Sequence, residues 1–200
     1  MSGAHARAGG RAGTTVRRHA GVVMLLHWLT VIAIVANPIL VWVREDIEDR
    51  GLRTLLIDVH KSIGVTVLVL VLLRLAVRQV VDADPARDWL SPRMFRLSRI
   101  GHAALYVLLL ATPVFGWLTS NAYGYGVSLF GWVDLPSLVG KDKALADVLG
   151  ECHELASFAL LGLAGAHAVL AIGHHVLLRD PTLVSMLPFG RRPARPAAGE

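Results

Sequence analysis

Apolar residues gather along this chain in four runs, residues 21–43, 59–80, 102–119 and 155–178, separated by stretches in which Arg, Asp, Gly and Pro recur. Each run is near the roughly 20 residues that a helix needs to cross a bilayer. The pattern predicts an all-α integral membrane protein, a four-helix bundle in which residues 18–188 form one transmembrane domain. The first run follows Arg17, Arg18 and His19 as the apolar part of a signal peptide would. It is too long for that and no small-residue cleavage site follows it, so it reads as a retained span. Residues 1–17, rich in Ala, Gly, Arg and Thr, and residues 189–200 have little to bury, and they read as a disordered basic segment and a disordered tail. The connection from 120 to 151 contains GYGVSLFGWVDLPSLVG, whose aromatic and glycine content predicts a segment lying at the membrane interface.

Composition agrees, with 54% hydrophobic residues and a mean hydropathy of +0.54. Charge then gives orientation. Arg7, Arg11, Arg17 and Arg18 precede the first run; Arg74, Arg78, Arg87, Arg93, Arg96 and Arg99 surround the second connection; Arg179, Arg191, Arg192 and Arg195 lie in the tail. The opposite side holds only Arg44, Arg50, Arg53, Lys61, Lys141 and Lys143. Basic residues concentrate on the cytoplasmic side, so both termini are expected in the cytoplasm of a multi-pass protein of a bacterial inner membrane. The formal charge of +5 is therefore membrane topology and not a nucleic-acid footprint. With Cys152 as the single cysteine, no intramolecular disulfide, haem-attaching C-x-x-C-H or paired-cysteine zinc motif can form. Any metal chemistry falls to histidine.

Four histidines sit where hydrocarbon is expected, and their depths match in pairs. His27 lies near the cytoplasmic end of the first run and His60 at the outer end of the second, while on the fourth His153 is outermost. His167 follows 14 residues deeper, about 21 Å along a helix axis and only about 40° short of four full turns. The spacing predicts two levels on one helix face, His60 with His153 outside and His27 with His167 inside, with Ser157 and Ala164 leaving room beside them. A single membrane histidine is as readily an interhelical hydrogen-bond donor. Four at two matched depths point to a metal, since intramembrane ionisable residues are costly and imidazole is the commonest metal ligand. Zinc wants a compact tetrahedral shell, which two histidines per level do not supply. Two axial imidazoles with a porphyrin between them fit better. Arg74, 14 residues after His60, lies at the inner level and calls for an anion, either a haem propionate or a quinone, unless it reaches the cytoplasmic headgroups.

The motifs LLHWLT at 25–30, DVHKSIG at 58–64, VLLRLAVR at 71–78, IGHAALYVLLLATPVFGW at 100–117, ECHELAS at 151–157 and GAHAVLAIGHHVLLRDPTLVSMLP at 165–188 resemble the bacterial cytochrome b561 family. The resemblance runs from Arg18 to Pro188. It implies two non-covalent b-type haems that exchange electrons with quinone and, in at least one family member, the oxidation of superoxide at the periplasmic face. It places the axial ligands on His27, His60, His153 and His167, the four that depth and phase select.

Other positions are more open. His102 matches the histidine that opens the family's third helix; a helix-end hydrogen bond and a role in quinone binding or proton delivery stand side by side. His174, seven residues beyond His167 on about the same face, is expected near a propionate or a quinone oxygen. His175 points elsewhere, and His19 lies outside the apolar run. The outer connections hold six basic residues against ten acidic ones, which suits a basic periplasmic redox protein as donor better than superoxide, although Lys61, Lys141 and Lys143 could form a local funnel. The expected partners are thus membrane lipid, quinone and one of those two donors, with a homodimer left open and no nucleic acid. A histidine-lined metal or proton transporter without haem is the alternative from a different class.

Overall fold

A computed structural model describes residues 21–81, 90–179 and 181–187. The basic segment and tail expected at the termini, and His19, lie outside the described residues. Four long helices dominate: α1 (Gly21–Glu45), α2 (Arg50–Val80), α3 (Pro92–Ala122) and α4 (Lys143–Gly173). All four are long and apolar enough to cross a membrane. The last three start about ten residues before their apolar runs, because the runs mark where hydrocarbon begins and a helix extends into water wherever its end is capped. Asp49, Ser91 and Asp142 cap α2, α3 and α4, each accepting from the backbone N–H three residues on, and Pro92 opens α3 where a missing N–H costs nothing. The chain is all-α apart from one small antiparallel hairpin in the long outer connection, strands β1 (Ser128–Leu129) and β2 (Val133–Asp134).

The bundle is two helical hairpins, α1 packed on α2 and α3 on α4, joined chiefly where α2 meets α3. A compact core of Val67, Val71, Leu109 and Leu160 lies at that junction. Only a minority of each span is buried, and large apolar side chains such as Leu25, Ile32, Val107 and Leu155 face outward, as hydrocarbon-facing residues must. The β1–β2 hairpin is fastened onto α2 by Ser62, which is 2% exposed. Its hydroxyl accepts from the N–H of Phe130 at 3.0 Å and has the carbonyls of Asp58 and Ser128 at 2.8 and 3.0 Å as acceptors. Phe130 and Gly131 turn the hairpin with φ of 51° and 75°, and Trp132 at its tip stands 90% exposed.

Beyond Gly173 the fourth helix widens into a π-helical turn, His174–Leu178, ended by Arg179 in the left-handed region at φ 54°. A last 3-10 turn, Val184–Met186, returns to the first helix, where the Trp28 indole donates to the Met186 carbonyl at 2.8 Å.

Candidate functional site

The histidines face one another across the cleft between the two helical hairpins. His60 on α2 and His153 on α4 have ring centres 6.1 Å apart with planes at 90°. His27 on α1 and His167 on α4 are 6.5 Å apart at 79°. Two imidazoles that bind one metal ion from opposite sides, with metal–nitrogen bonds of about 2.0 Å and ring centres about 1.1 Å beyond the nitrogen, stand roughly 6.2 Å apart. Both pairs have that spacing. His102 on α3 lies nearer to His167, at 5.2 Å, too close for the same opposed arrangement.

Room accompanies the outer pair. A cavity of about 810 Å³ is lined by both rings and by residues of all four helices and the loop after α3. Gly64, one turn beyond His60, opens onto it, and a Cβ there would meet nothing within 4 Å. Gly116 does the opposite: a Cβ there would lie 2.9 Å from Cε1 of His153, so the imidazole rests directly on the α3 backbone. Among the cavity's residues, Asn37 Oδ1, Arg44 Nε, Thr112 Oγ1 and Trp117 Nε1 are buried without a hydrogen-bond partner. Such orphaned groups are rare unless a ligand meets them. Two of them are donors, a guanidinium and an indole, which suit the carboxylates of a porphyrin, whose flat apolar body suits the remaining walls.

The two levels differ in how their imidazoles are held. His60 Nδ1 lies 3.2 Å from the Asn37 carbonyl and His153 Nδ1 2.8 Å from the Thr112 carbonyl. A carbonyl only accepts, so in both rings Nδ1 carries the hydrogen and Nε2 is left as the free lone pair. At the inner level Arg74 Nη1 lies 3.1 Å from His27 Nδ1. A guanidinium only donates, so here Nδ1 accepts and the hydrogen sits on Nε2. Arg74 is 8% exposed, lies over the Tyr106 ring at 5.7 Å, has its Nε unpartnered and has no carboxylate within ion-pair distance among the described residues. It is a buried cation facing a neutral ring, the arrangement that most favours an incoming anion.

Of the remaining sequence candidates, His102 has Ser98 Oγ at 3.4 Å, and His174 opens the π-helical turn. Arg78 shares Tyr106 with Arg74, its Nη1 lying 3.4 Å from the phenol oxygen. Lys61 lines the outer cavity, paired with Asp58 at 3.4 Å, whereas Lys143 is committed to Asp147 at 2.6 Å. The same carboxylate accepts from Tyr123 at 2.8 Å and holds that phenol above its usual pKa. The sequence reading missed Arg44, Gly116, Trp117 and the carbonyls of Asn37 and Thr112. A proline following each of the last two, inside an apolar run, was the signal available. Among the described residues no group of three or more His, Cys, Asp or Glu could hold a metal ion.

Fold and site define a class: a four-helix membrane protein with imidazoles opposed at two levels of one cleft. Residues 18–189 match the family model for prokaryotic cytochrome b561, and the chain belongs to that family. It is a membrane cytochrome b, a multi-pass protein of the bacterial inner membrane, and the family binds haem b. It is similar to cytochrome b561 homolog 2 of Escherichia coli (strain K12), 30% identical over 86% of this chain and 93% of that protein. It is also similar to a probable superoxide oxidase CybB of Yersinia pestis, 29% identical over 83% of this chain and 93% of that one, and to cytochrome b561 homolog 1 of E. coli K12, 27% identical over 82% and 93%.

Proposed function

We propose that this protein carries electrons between a periplasmic donor and membrane quinone through two bis-histidine haems, the outer on His60 and His153 and the inner on His27 and His167. The observation that carries the reading is the opposed spacing of both pairs, 6.1 and 6.5 Å, with Nε2 free on both outer rings. The haems, when bound, supply one-electron carriers with no open coordination position. The protein's part is spacing and electrostatics. Arg74 must release His27 Nδ1 for Nε2 of that ring to become the ligand, and a propionate gives the guanidinium its new partner. Replacing Arg74 with Gln is expected to lower the inner midpoint potential. The shift expected for removing one nearby cation at an effective dielectric near 20 is on the order of tens of millivolts. A redox titration in which only the outer potential moves would contradict the assignment.

For the donor, Arg44 brings to the outer cavity a positive charge with no ion pair among the described residues, which favours superoxide there, whereas Lys61 is offset by Asp58 in the same lining. Two superoxide anions would each give one electron and leave as dioxygen; a quinone takes the two electrons with two protons. We assign the quinone to the cytoplasmic side, near His102, His174 and Arg78, where titratable imidazoles can deliver those protons. The test is reconstitution with quinone, comparing haem reduction by superoxide with reduction by a quinol. Rapid reduction by superoxide is expected, and reduction by quinol alone would reverse the direction. In His102→Ala and His174→Ala proteins that keep both haems, quinone-dependent reoxidation should slow, and wild-type rates in both would move the quinone elsewhere.

A further inference from the structure

Two of the spans carry an interior proline, Pro38 in α1 and Pro113 in α3. The carbonyl immediately before each proline is the acceptor for one outer histidine, Asn37 for His60 and Thr112 for His153. An interior proline lacks an N–H and presses its ring on the carbonyl four residues back. The bond lost is the one to that carbonyl, of Ile34 or Leu109; the carbonyls of Asn37 and Thr112 stay in the helix and each keeps a second lone pair for a side chain. The carbonyl ahead of proline also belongs to a tertiary amide, whose oxygen is the more electron-rich acceptor. The arrangement occurs twice, on different helices, for the two members of one pair. At the inner level His27 Nδ1 instead faces the Arg74 guanidinium, a donor.

We infer that Pro38 and Pro113 are positioning residues for the outer haem: through the carbonyls of Asn37 and Thr112 they select Nε2 as the ligand nitrogen and hold the two rings perpendicular. The inference rests on the di-haem reading above. It has two consequences that a merely structural kink does not. A hydrogen bond from Nδ1 to a strong acceptor makes the ligand more basic, favours ferric iron and holds the outer potential down. Perpendicular axial rings give a highly anisotropic low-spin ferric signal in electron paramagnetic resonance, whereas parallel rings give a rhombic one.

The experiment begins with the haem count and redox titration of the full-length wild-type protein. Fewer than two haems in the wild-type protein would sink the di-haem reading and, with it, this role for the prolines. With two haems present, Pro38→Ala and Pro113→Ala are compared with wild type. Each restores an N–H and places a better helix former in the span, so helix formation is not put at risk, and the two act on separate helices. The expected result is an upward shift of the outer potential and a move of the outer signal toward the rhombic form, with the inner haem unchanged in both readouts. If both variants hold two haems with the outer potential and signal as in wild type, or if the two haems shift alike, the inference is overturned.

Discussion

His60→Ala and His153→Ala proteins are expected to keep about half of the wild-type haem, and the half that remains is the inner one; His27→Ala and His167→Ala should show the converse. Ring centres stand 6.1 Å apart in the outer pair and 6.5 Å apart in the inner one, a spacing that would let each pair hold one haem between its imidazoles. On the proposed reading, removing one imidazole would take away one of the two groups that hold a haem, and among the described residues no third histidine lies at the outer level to replace it. The inner level has a near neighbour in His102, 5.2 Å from His167, so His167→Ala is the variant in which a rearranged low-spin species is expected beside haem loss. Extracted haem per chain, together with a two-step redox titration, reads all four variants. A His60→Ala protein with both haems and unchanged spectra would dissolve the pairing.

Gly116→Val is expected to remove the outer haem while the inner one stays in place. The nearest neighbours of an added Cβ are ring atoms of His153, Cε1 at 2.9 Å and Nδ1 at 3.1 Å, and Nδ1 is the atom that donates to Thr112. Thr112 and Gly116 are one turn apart on α3, so the ring is seated between a carbonyl that draws it in and a glycine that lets it approach. A branched side chain lifts the ring off that seat and breaks a hydrogen bond of about 1 kcal/mol, leaving a buried donor unsatisfied. Gly116→Ala should do this in part, with outer haem retained and its potential raised. Gly162→Ala on α4, where an added Cβ meets nothing within 4 Å, serves as the control and should behave as wild type. Equal outer haem in the Gly116→Val and Gly162→Ala proteins would show that His153 does not depend on the close approach.

Most of the bundle was legible because the lipid environment writes itself plainly into sequence: long apolar runs locate the spans. The meeting of His60 with His153 and of His27 with His167 was legible too, since a 14-residue spacing fixes both depth and face on any regular helix. Helix starts were not legible from hydropathy, because the turns capped by Asp49, Ser91 and Asp142 are polar and lie outside the runs. The outer hairpin was also hidden, because four paired residues held by a hydroxyl on a distant helix leave no periodicity. Nor could spacing reveal that the imidazoles differ in tautomer between levels. That depends on whether an acceptor or a donor stands beside Nδ1, a matter of how α1 lies against α2 and α3 against α4.

The hydrogen bonds of the outer imidazoles also bear on the order in which the chain assembles. His60 bonds 23 residues back to α1, and His153 41 residues back to α3. Each contact therefore lies within a single helical hairpin and can close as soon as that hairpin has entered the membrane. The Trp28–Met186 contact spans 158 residues and must wait for nearly the whole chain. The half of the cleft that holds His60 and His153 can thus be set one helical hairpin at a time, while the contact beside His27 needs residue 186 in place.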